Sequence, residues 1–200
     1  MNIKTSDVRI GDFLLTQASY EAGEVFQYDM PDLSAEILVP KLGFFENRVS
    51  FPTIYEGIIP WVSVCPSEIN SMKQEIRLAH GRVLVLGLGL GYYAYRVSRM
   101  PKVKSVTIIE REQTVIDIFN RNILPQFEEQ EKIRVIQADA FEYLANTEAG
   151  EYDFCFADIW ESQIDGAEAY QKIKKEEQRL PFTEFSYWIE DSIRWWLQGS

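Results

Sequence analysis

Residues 83–92 read Val-Leu-Val-Leu-Gly-Leu-Gly-Leu-Gly-Tyr, and no other stretch of the chain restricts its fold as much. Four apolar residues without polar alternation describe a strand covered on both faces, as in the middle of a parallel sheet. Glycines at 87, 89 and 91 follow at once. Without a Cβ they permit positive φ and let a ligand approach the backbone closely. A helix opening at Tyr92 would offer that ligand free N–H groups and the positive end of its dipole. Ligands of such sheets sit beyond the carboxyl ends of the strands.

The glycine spacing discriminates between ligands. A dinucleotide fingerprint, GxGxxG, would need its third glycine at position 92, which is Tyr92; the pattern here is GxGxG. A βα rhythm continues after it. Val106–Ile109, Ile133–Ile136 and Phe154–Ala157 read as strands, with helices expected at 92–99, 113–122 and 141–144. Helices of this size between strands imply right-handed crossovers and a parallel sheet. Each later strand ends on a carboxylate: Glu110, Asp139 (followed by Ala140) and Asp158. Glu110 is placed to accept from both hydroxyls of a ribose. Asp139 suits an adenine amino group and the Ala140 N–H a ring nitrogen, while Asp158 falls beside the reacting end. Singly, each suits a helix N-cap or a solvated turn. Together with the glycine loop, they describe a site for an adenosine-containing cofactor.

The segments VLVLGLGLGYYAYRVS, VTIIERE, IRVIQADAFEYL and YDFCFADIW, in this order and spacing, resemble the class I S-adenosylmethionine-dependent methyltransferases over about residues 67–160. PKVKSVTIIEREQTVIDIFN and QADAFEYL are most similar to the spermidine synthase-like branch. The resemblance implies a Rossmann-like α/β fold with S-adenosylmethionine as cofactor. Gly87, Gly89 and Gly91 would then wrap the methionine portion, Glu110 the ribose, and Asp139 with Ala140 the adenine. Aminopropyltransferases of this branch carry an Asp between the later loop glycines, where this chain has Leu90. Their DxxD segment after the fourth strand is half matched by Asp158-Ile159-Trp160-Glu161. The [DN]PP[YF] segment of many amino-group methyltransferases is missing. The expected activity is therefore S-adenosylmethionine-dependent methyl transfer to an unidentified small-molecule or protein acceptor. An aminopropyltransferase-like enzyme and a non-catalytic S-adenosylmethionine-binding protein are the alternatives.

In such a reaction the protein holds the acceptor in line and removes its proton where needed. Asp158 is the first candidate for that role and binds at the cofactor's reacting end as well; Glu161 is the second. If the two share a site, repulsion raises the pKa of one. Tyr92, Tyr93 and Trp160 are candidates to line the acceptor pocket, since aromatic faces attract a sulfonium, although packing is the commoner role of aromatics.

Residues 1–65 have a different texture, rich in β-branched and aromatic residues and broken by glycine and proline. They are expected to form a small β-rich part capping the acceptor, with strands at 12–17, 24–28, 35–39, 49–51 and 54–58. Residues 66–200 would form the cofactor-binding domain, opening with a helix capped by Ser67 and ending before Gly81. Its tail reads as two helices, 165–180 and 184–198. The second has an apolar face of Phe185, Trp188, Ile189, Ile193, Trp196 and Leu197, suited to packing on the sheet or to serving as a lid or homodimer surface. No fifth, sixth or seventh strand is legible, so either the sheet is short or strands of the N-terminal part complete it.

The formal net charge is −11, from 20 Lys and Arg against 31 Asp and Glu. This balance disfavours a broad nucleic-acid footprint. Solubility explains it, and a cationic acceptor such as an amine is the sharper reading. Cys65 and Cys155 read as small buried hydrophobes, and His80, the one histidine, as a cation near a helix end. No metal site is expected from this spacing. No apolar run reaches membrane-spanning length and the N-terminus lacks a signal-type apolar core, so the expected location is the cytoplasm.

Overall fold

A computed structural model describes residues 3–32 and 37–199. Its centre is a five-stranded parallel sheet of β7 (Gly81–Leu86), β8 (Val103–Glu110), β9 (Ile133–Gln137), β10 (Phe154–Ala157) and β11 (Glu184–Tyr187), in the order β11-β10-β7-β8-β9. The all-apolar reading of residues 83–86 is explained by position. β7 is the middle strand, and Val83, Leu84, Val85 and Leu86 are no more than 3% exposed. Burial of each such side chain is worth about 1.5–3 kcal/mol.

One helical element follows each of the first four sheet strands: α3 (Tyr92–Ser98), α4 (Gln113–Ile118, continued by a π turn at Phe119–Ile123), α5 (Ala140–Asn146) and α6 (Gln163–Glu177). The π turn lies inside the helix expected at 113–122, which ends as a short 3-10 turn at Leu124–Gln126. One face of the sheet packs with α3, α4 and the N-terminal part through residues such as Val85, Val97, Ile108, Phe119 and Phe156. The other packs with α5, α6 and α7 (Glu190–Gly199) through Leu84, Leu86, Leu144, Ile173 and Ile193.

The missing fifth strand and the single helix over 184–198 are both corrected, while the sheet stays short at five strands among the described residues. Residues 184–187 form β11, which pairs in parallel with β10 from Phe154↔Glu184 to Ala157↔Tyr187. Trp188 and Ile189 form the following turn, and the helix begins only at Glu190. Helical spacing of the aromatics could not reveal this. Two consecutive residues, Ser186 and Tyr187, are buried because this short strand lies under α6 and α7 on one face and is covered on the other face as well.

The helix expected after Pro66 is two pieces, α1 (Pro66–Ser71) and α2 (Lys73–Leu78), hinged at Met72. Cys65, not Ser67, is the N-cap, because Pro66 takes the first helical position that its fixed φ favours.

The N-terminal part contains an antiparallel sheet in the order β1-β2-β5-β6, formed by β1 (Val8–Ile10), β2 (Phe13–Tyr20), β5 (Val49–Glu56) and β6 (Ile59–Ser63). A hairpin of β3 (Val25–Asp32) and β4 (Ile37–Phe44) accompanies it. The candidate strands at 49–51 and 54–58 are one strand, β5, running through Pro52, with Gly57 and Ile58 in the turn before β6. Proline is tolerated there because β6 pairs only with residues 53–56, and Pro52 needs only its carbonyl, which accepts from Val64 N–H at 3.0 Å. The candidate at 35–39 begins outside the described residues. None of the described helices is long and apolar enough to cross a membrane.

Candidate active site

The strand order sets the site. All five strands point the same way, so their carboxyl ends form one row, with the glycine loop after β7 at its middle. Glu110, the last residue of β8, and Asp139, just after β9, stand on one side of the loop. Asp158 and Trp188, after β10 and β11, stand on the other. The crossover direction reverses at β7, which is where a crevice opens in such sheets. A cleft of about 480 Å³ lies there, lined by the loop, Glu110, Asp139, Ala140, Asp158 and Glu161, with Trp61 and Val62 of β6 and Glu68 and Met72 of the α1–α2 region across it.

The three loop glycines are required for different reasons. All have positive φ, at 96°, 53° and 71° for Gly87, Gly89 and Gly91. A Cβ on Gly87 would collide with the Asp158 carbonyl, and one on Gly91 with the Phe119 ring. Those two are demanded by the protein's own packing. A Cβ on Gly89 would meet only Val62 Cγ2, at 3.3 Å. Gly89 is thus the glycine whose missing side chain leaves room in the cleft, and the residues fit a closely approaching ligand there. Among the described residues, the Gly89 and Leu90 amides have no protein partner.

Glu110 serves the loop as well as the cleft. Its Oε2 accepts from Leu88 N–H at 3.1 Å and its Oε1 from Glu112 N–H at 2.9 Å, which leaves one lone pair on each oxygen for a ligand. Asp139 is the N-cap of α5. Its Oδ1 accepts from the Phe141 and Glu142 amides at 2.9 and 3.0 Å, while Oδ2 and the Ala140 N–H have no protein partner among the described residues. The N-cap role and the ligand role are therefore compatible in one side chain.

Asp158 is half-buried at the cleft floor. Burial, then the nearby carboxylates of Glu68 and Glu75, push its carboxyl up to about 8. The groups that act on Asp158 are thus on α1 and α2, and Glu161 is not among them. Glu161 lies exposed at the rim, where its N–H donates to Asp165 Oδ2 at 2.8 Å within the turn that caps α6. Burial also raises Glu68 and Glu75 above the usual carboxylate range. Glu75 Oε2 is buried without a hydrogen-bond partner, as suits a protonated or ligand-facing carboxyl.

Of the aromatic candidates, Tyr92, Tyr93 and Trp160 all reach the cleft wall. Tyr93 stacks on Phe156 with centroids 4.0 Å apart, and its hydroxyl donates to the Glu75 carbonyl at 3.3 Å. Trp160 packs under Gly166 and donates its indole N–H to the Trp188 carbonyl. Both therefore serve packing while lining the cleft.

Sequence reasoning missed Glu68 as a cleft residue, and missed Ser71, Glu75 and Trp188. Glu68 lay in a segment read only as a helix capped by Ser67, and Trp188 was placed on a helix. Among the described lining residues, Glu68, Glu110, Asp139, Asp158 and Glu161 are acidic, and Arg111 is the one cation. No group of three or more His, Cys, Asp or Glu among the described residues is arranged to hold a metal ion.

No curated protein matches the chain. Among solved structures, spermidine synthase from Thermotoga maritima superposes with a TM-score of 0.50 at 15% identity, covering 74% of this chain and 57% of its own. Precorrin 8w decarboxylase from Methanobacterium thermoautotrophicum gives a TM-score of 0.47 at 17% identity, covering 62% of this chain and 63% of its own. The chain spans less than two thirds of the length of either protein. At such identities the likeness is one of fold, a Rossmann-like α/β fold shared with the spermidine synthase. The sequence model of the spermine/spermidine synthase domain matches residues 68–176, more than half of the chain, and the chain belongs to that family.

Proposed function

We propose that this chain is a transferase that binds S-adenosylmethionine and directs its methyl group to an acceptor, with a cationic amine the class the cleft favours. The observation that supports this most is the division of the cleft by the glycine loop. Two carboxylates with free acceptor capacity stand on one side, and a carboxyl that exchanges its proton near neutral pH stands on the other.

The cofactor supplies a methyl carbon already bonded to a positively charged sulfur. Glu110 takes the ribose hydroxyls on its remaining lone pairs, and Asp139 Oδ2 with the Ala140 N–H takes the adenine edge. Gly89 leaves room for the chain that carries the sulfonium. On the acceptor side, the rim residue Glu161 and the ionised forms of Glu68 and Asp158 draw in a positively charged group. With its carboxyl near 8, about a tenth of Asp158 is ionised at pH 7, and that form takes the proton the acceptor must lose before it can attack.

The aminopropyl reading has family membership and the acidic cleft in its favour. Against it stands Leu90, an apolar, 2% exposed residue, where the resemblance leads one to expect a carboxylate for the aminopropyl amine. Calorimetry with S-adenosylmethionine, S-adenosylhomocysteine and decarboxylated S-adenosylmethionine tests the choice. The first two are expected to bind, and the third no better than the first. A tenfold or greater preference for the decarboxylated form would replace methyl transfer by aminopropyl transfer, and no binding of any of the three would end the transferase reading.

A further inference from the structure

The acceptor half of the cleft is closed by a side chain that no strand-end motif announces. Because Ala157 is registered with Tyr187, the next residues, Asp158 and Trp188, leave adjacent strands side by side. Trp188 is held at three points. Its N–H donates to the Ala157 carbonyl at 2.9 Å, its carbonyl accepts from the Trp160 indole at 3.3 Å, and its own indole N–H donates to Ser71 Oγ at 2.8 Å. The Ser71 hydroxyl in turn donates to the Glu68 carbonyl at 2.9 Å. A continuous path of hydrogen bonds thus runs from the end of β11 to the helix that carries Glu68 into the cleft.

Two further observations bear on this path. Trp188 packs against the hydrophobic clusters on both faces of the sheet. The residue after it, Ile189, has φ 49°, the one positive φ outside glycine among the described residues. A β-branched residue adopts that conformation only where its surroundings impose it. Here it ends the strand abruptly. The ladder stops at the Trp188 N–H, and the Ile189 carbonyl already accepts from Ile193 in α7 at 3.1 Å. Trp188 thereby lines the cleft with its indole turned to Ser71.

The geometry points to Trp188 and Ser71 as positioning residues for the acceptor: the left-handed turn at Ile189 and the relay through Ser71 hold the Glu68 helix against the Asp158 end of the cleft, and the indole forms the wall on which the acceptor lies. This rests on the reading of the cleft as a transferase site. The cofactor half, at Glu110 and Asp139, lies beyond β7 and shares no hydrogen bond with the relay. The charged groups facing Asp158 are Glu68 on α1 and Glu75 on α2, and Glu75 is itself faced by Glu190 and Asp191 of α7. Breaking the relay frees Glu68 and leaves the surroundings of Glu75 in place.

The test uses the full chain with Ser71→Ala, Ser71→Thr and Trp188→Phe. Calorimetric affinity for S-adenosylhomocysteine reports the cofactor half, and carboxyl carbon NMR reports the titration midpoint of Asp158. Ser71→Ala and Trp188→Phe are expected to bind S-adenosylhomocysteine within about twofold of the parent, because the sites are separate. Their Asp158 midpoint is expected to fall by about one pH unit as a like charge recedes. Ser71→Thr, which keeps the hydroxyl, should restore the parent midpoint. A midpoint unmoved in Ser71→Ala overturns the relay. A tenfold or greater loss of S-adenosylhomocysteine affinity in the two variants would put Trp188 in the cofactor half instead. If the parent itself fails to bind S-adenosylhomocysteine, the transferase reading and the acceptor role fall together, whereas the midpoint shift still decides whether the relay holds Glu68.

Discussion

Replacing Asp158 by Asn should change how stability depends on pH, in a direction opposite to ordinary acid denaturation. The folded-state pKa of Asp158 is raised to about 8, against about 3.9 for an unfolded aspartate. Between those values the folded chain keeps a proton that the unfolded chain has lost. Stability therefore falls as pH rises across this window, by about 1.4 kcal/mol per pH unit for one such group. From pH 5 to pH 7 the loss from Asp158 reaches about 2.7 kcal/mol, an upper limit because the half-buried carboxyl faces a cleft that water can enter. Glu68 and Glu75, also raised, act with the same sign. Asp153, held well below the usual range by Arg82, acts with the opposite sign and only toward acid pH. Asp158→Asn removes the charge at every pH and keeps the shape. The variant should match the parent only below about pH 4, already exceed it by up to about 1.5 kcal/mol at pH 5, lead by a wider margin at pH 8, and show a shallower slope between. Urea denaturation followed by circular dichroism at pH 5, 6, 7 and 8 measures this. Equal slopes in parent and variant would mean that Asp158 titrates in the ordinary carboxylate range, and would refute both the burial argument and its role as a proton acceptor near neutral pH.

Other substitutions separate the tasks of the loop and the strand ends. Gly89→Val should abolish S-adenosylhomocysteine binding in calorimetry while the melting temperature shows a folded chain, since its side chain would enter the cleft; retained affinity would mean that the loop is not the cradle. Gly91→Ala should instead act on the fold, costing about 1–3 kcal/mol from the clash with Phe119 plus about 1–2 kcal/mol for a left-handed non-glycine residue; unchanged urea stability would contradict the packing account. Glu110→Ala should weaken S-adenosylhomocysteine binding by about 1.5–3 kcal/mol, the scale of a hydrogen bond to a charged group. That variant also releases the Leu88 and Glu112 amides, so a rise in hydrogen exchange at those two positions should accompany the lost affinity.

The sequence by itself determined the centre of this protein. The run Val83–Leu86 is apolar without alternation because both faces of β7 are covered, and that condition is local enough to read from composition. The carboxylates at 110, 139 and 158 were legible because each ends a strand, and parallel strands gather their ends on one edge. The same local reading failed where partners are distant in the chain. β11 spans only Glu184–Tyr187, too short to declare a period, and becomes a strand through pairing with β10 about thirty residues earlier. The acidic company of Asp158 came from Glu68 and Glu75 rather than from its sequence neighbour Glu161, because α1 and α2 cross the cleft whereas the α6 turn leads away from it. Trp188 could be assigned to the cleft only once the turn at Ile189 and the bond to Ser71, 117 residues away, were known. Periodicity records which faces a segment buries, whereas the company of a side chain depends on which distant segments the sheet order brings beside it.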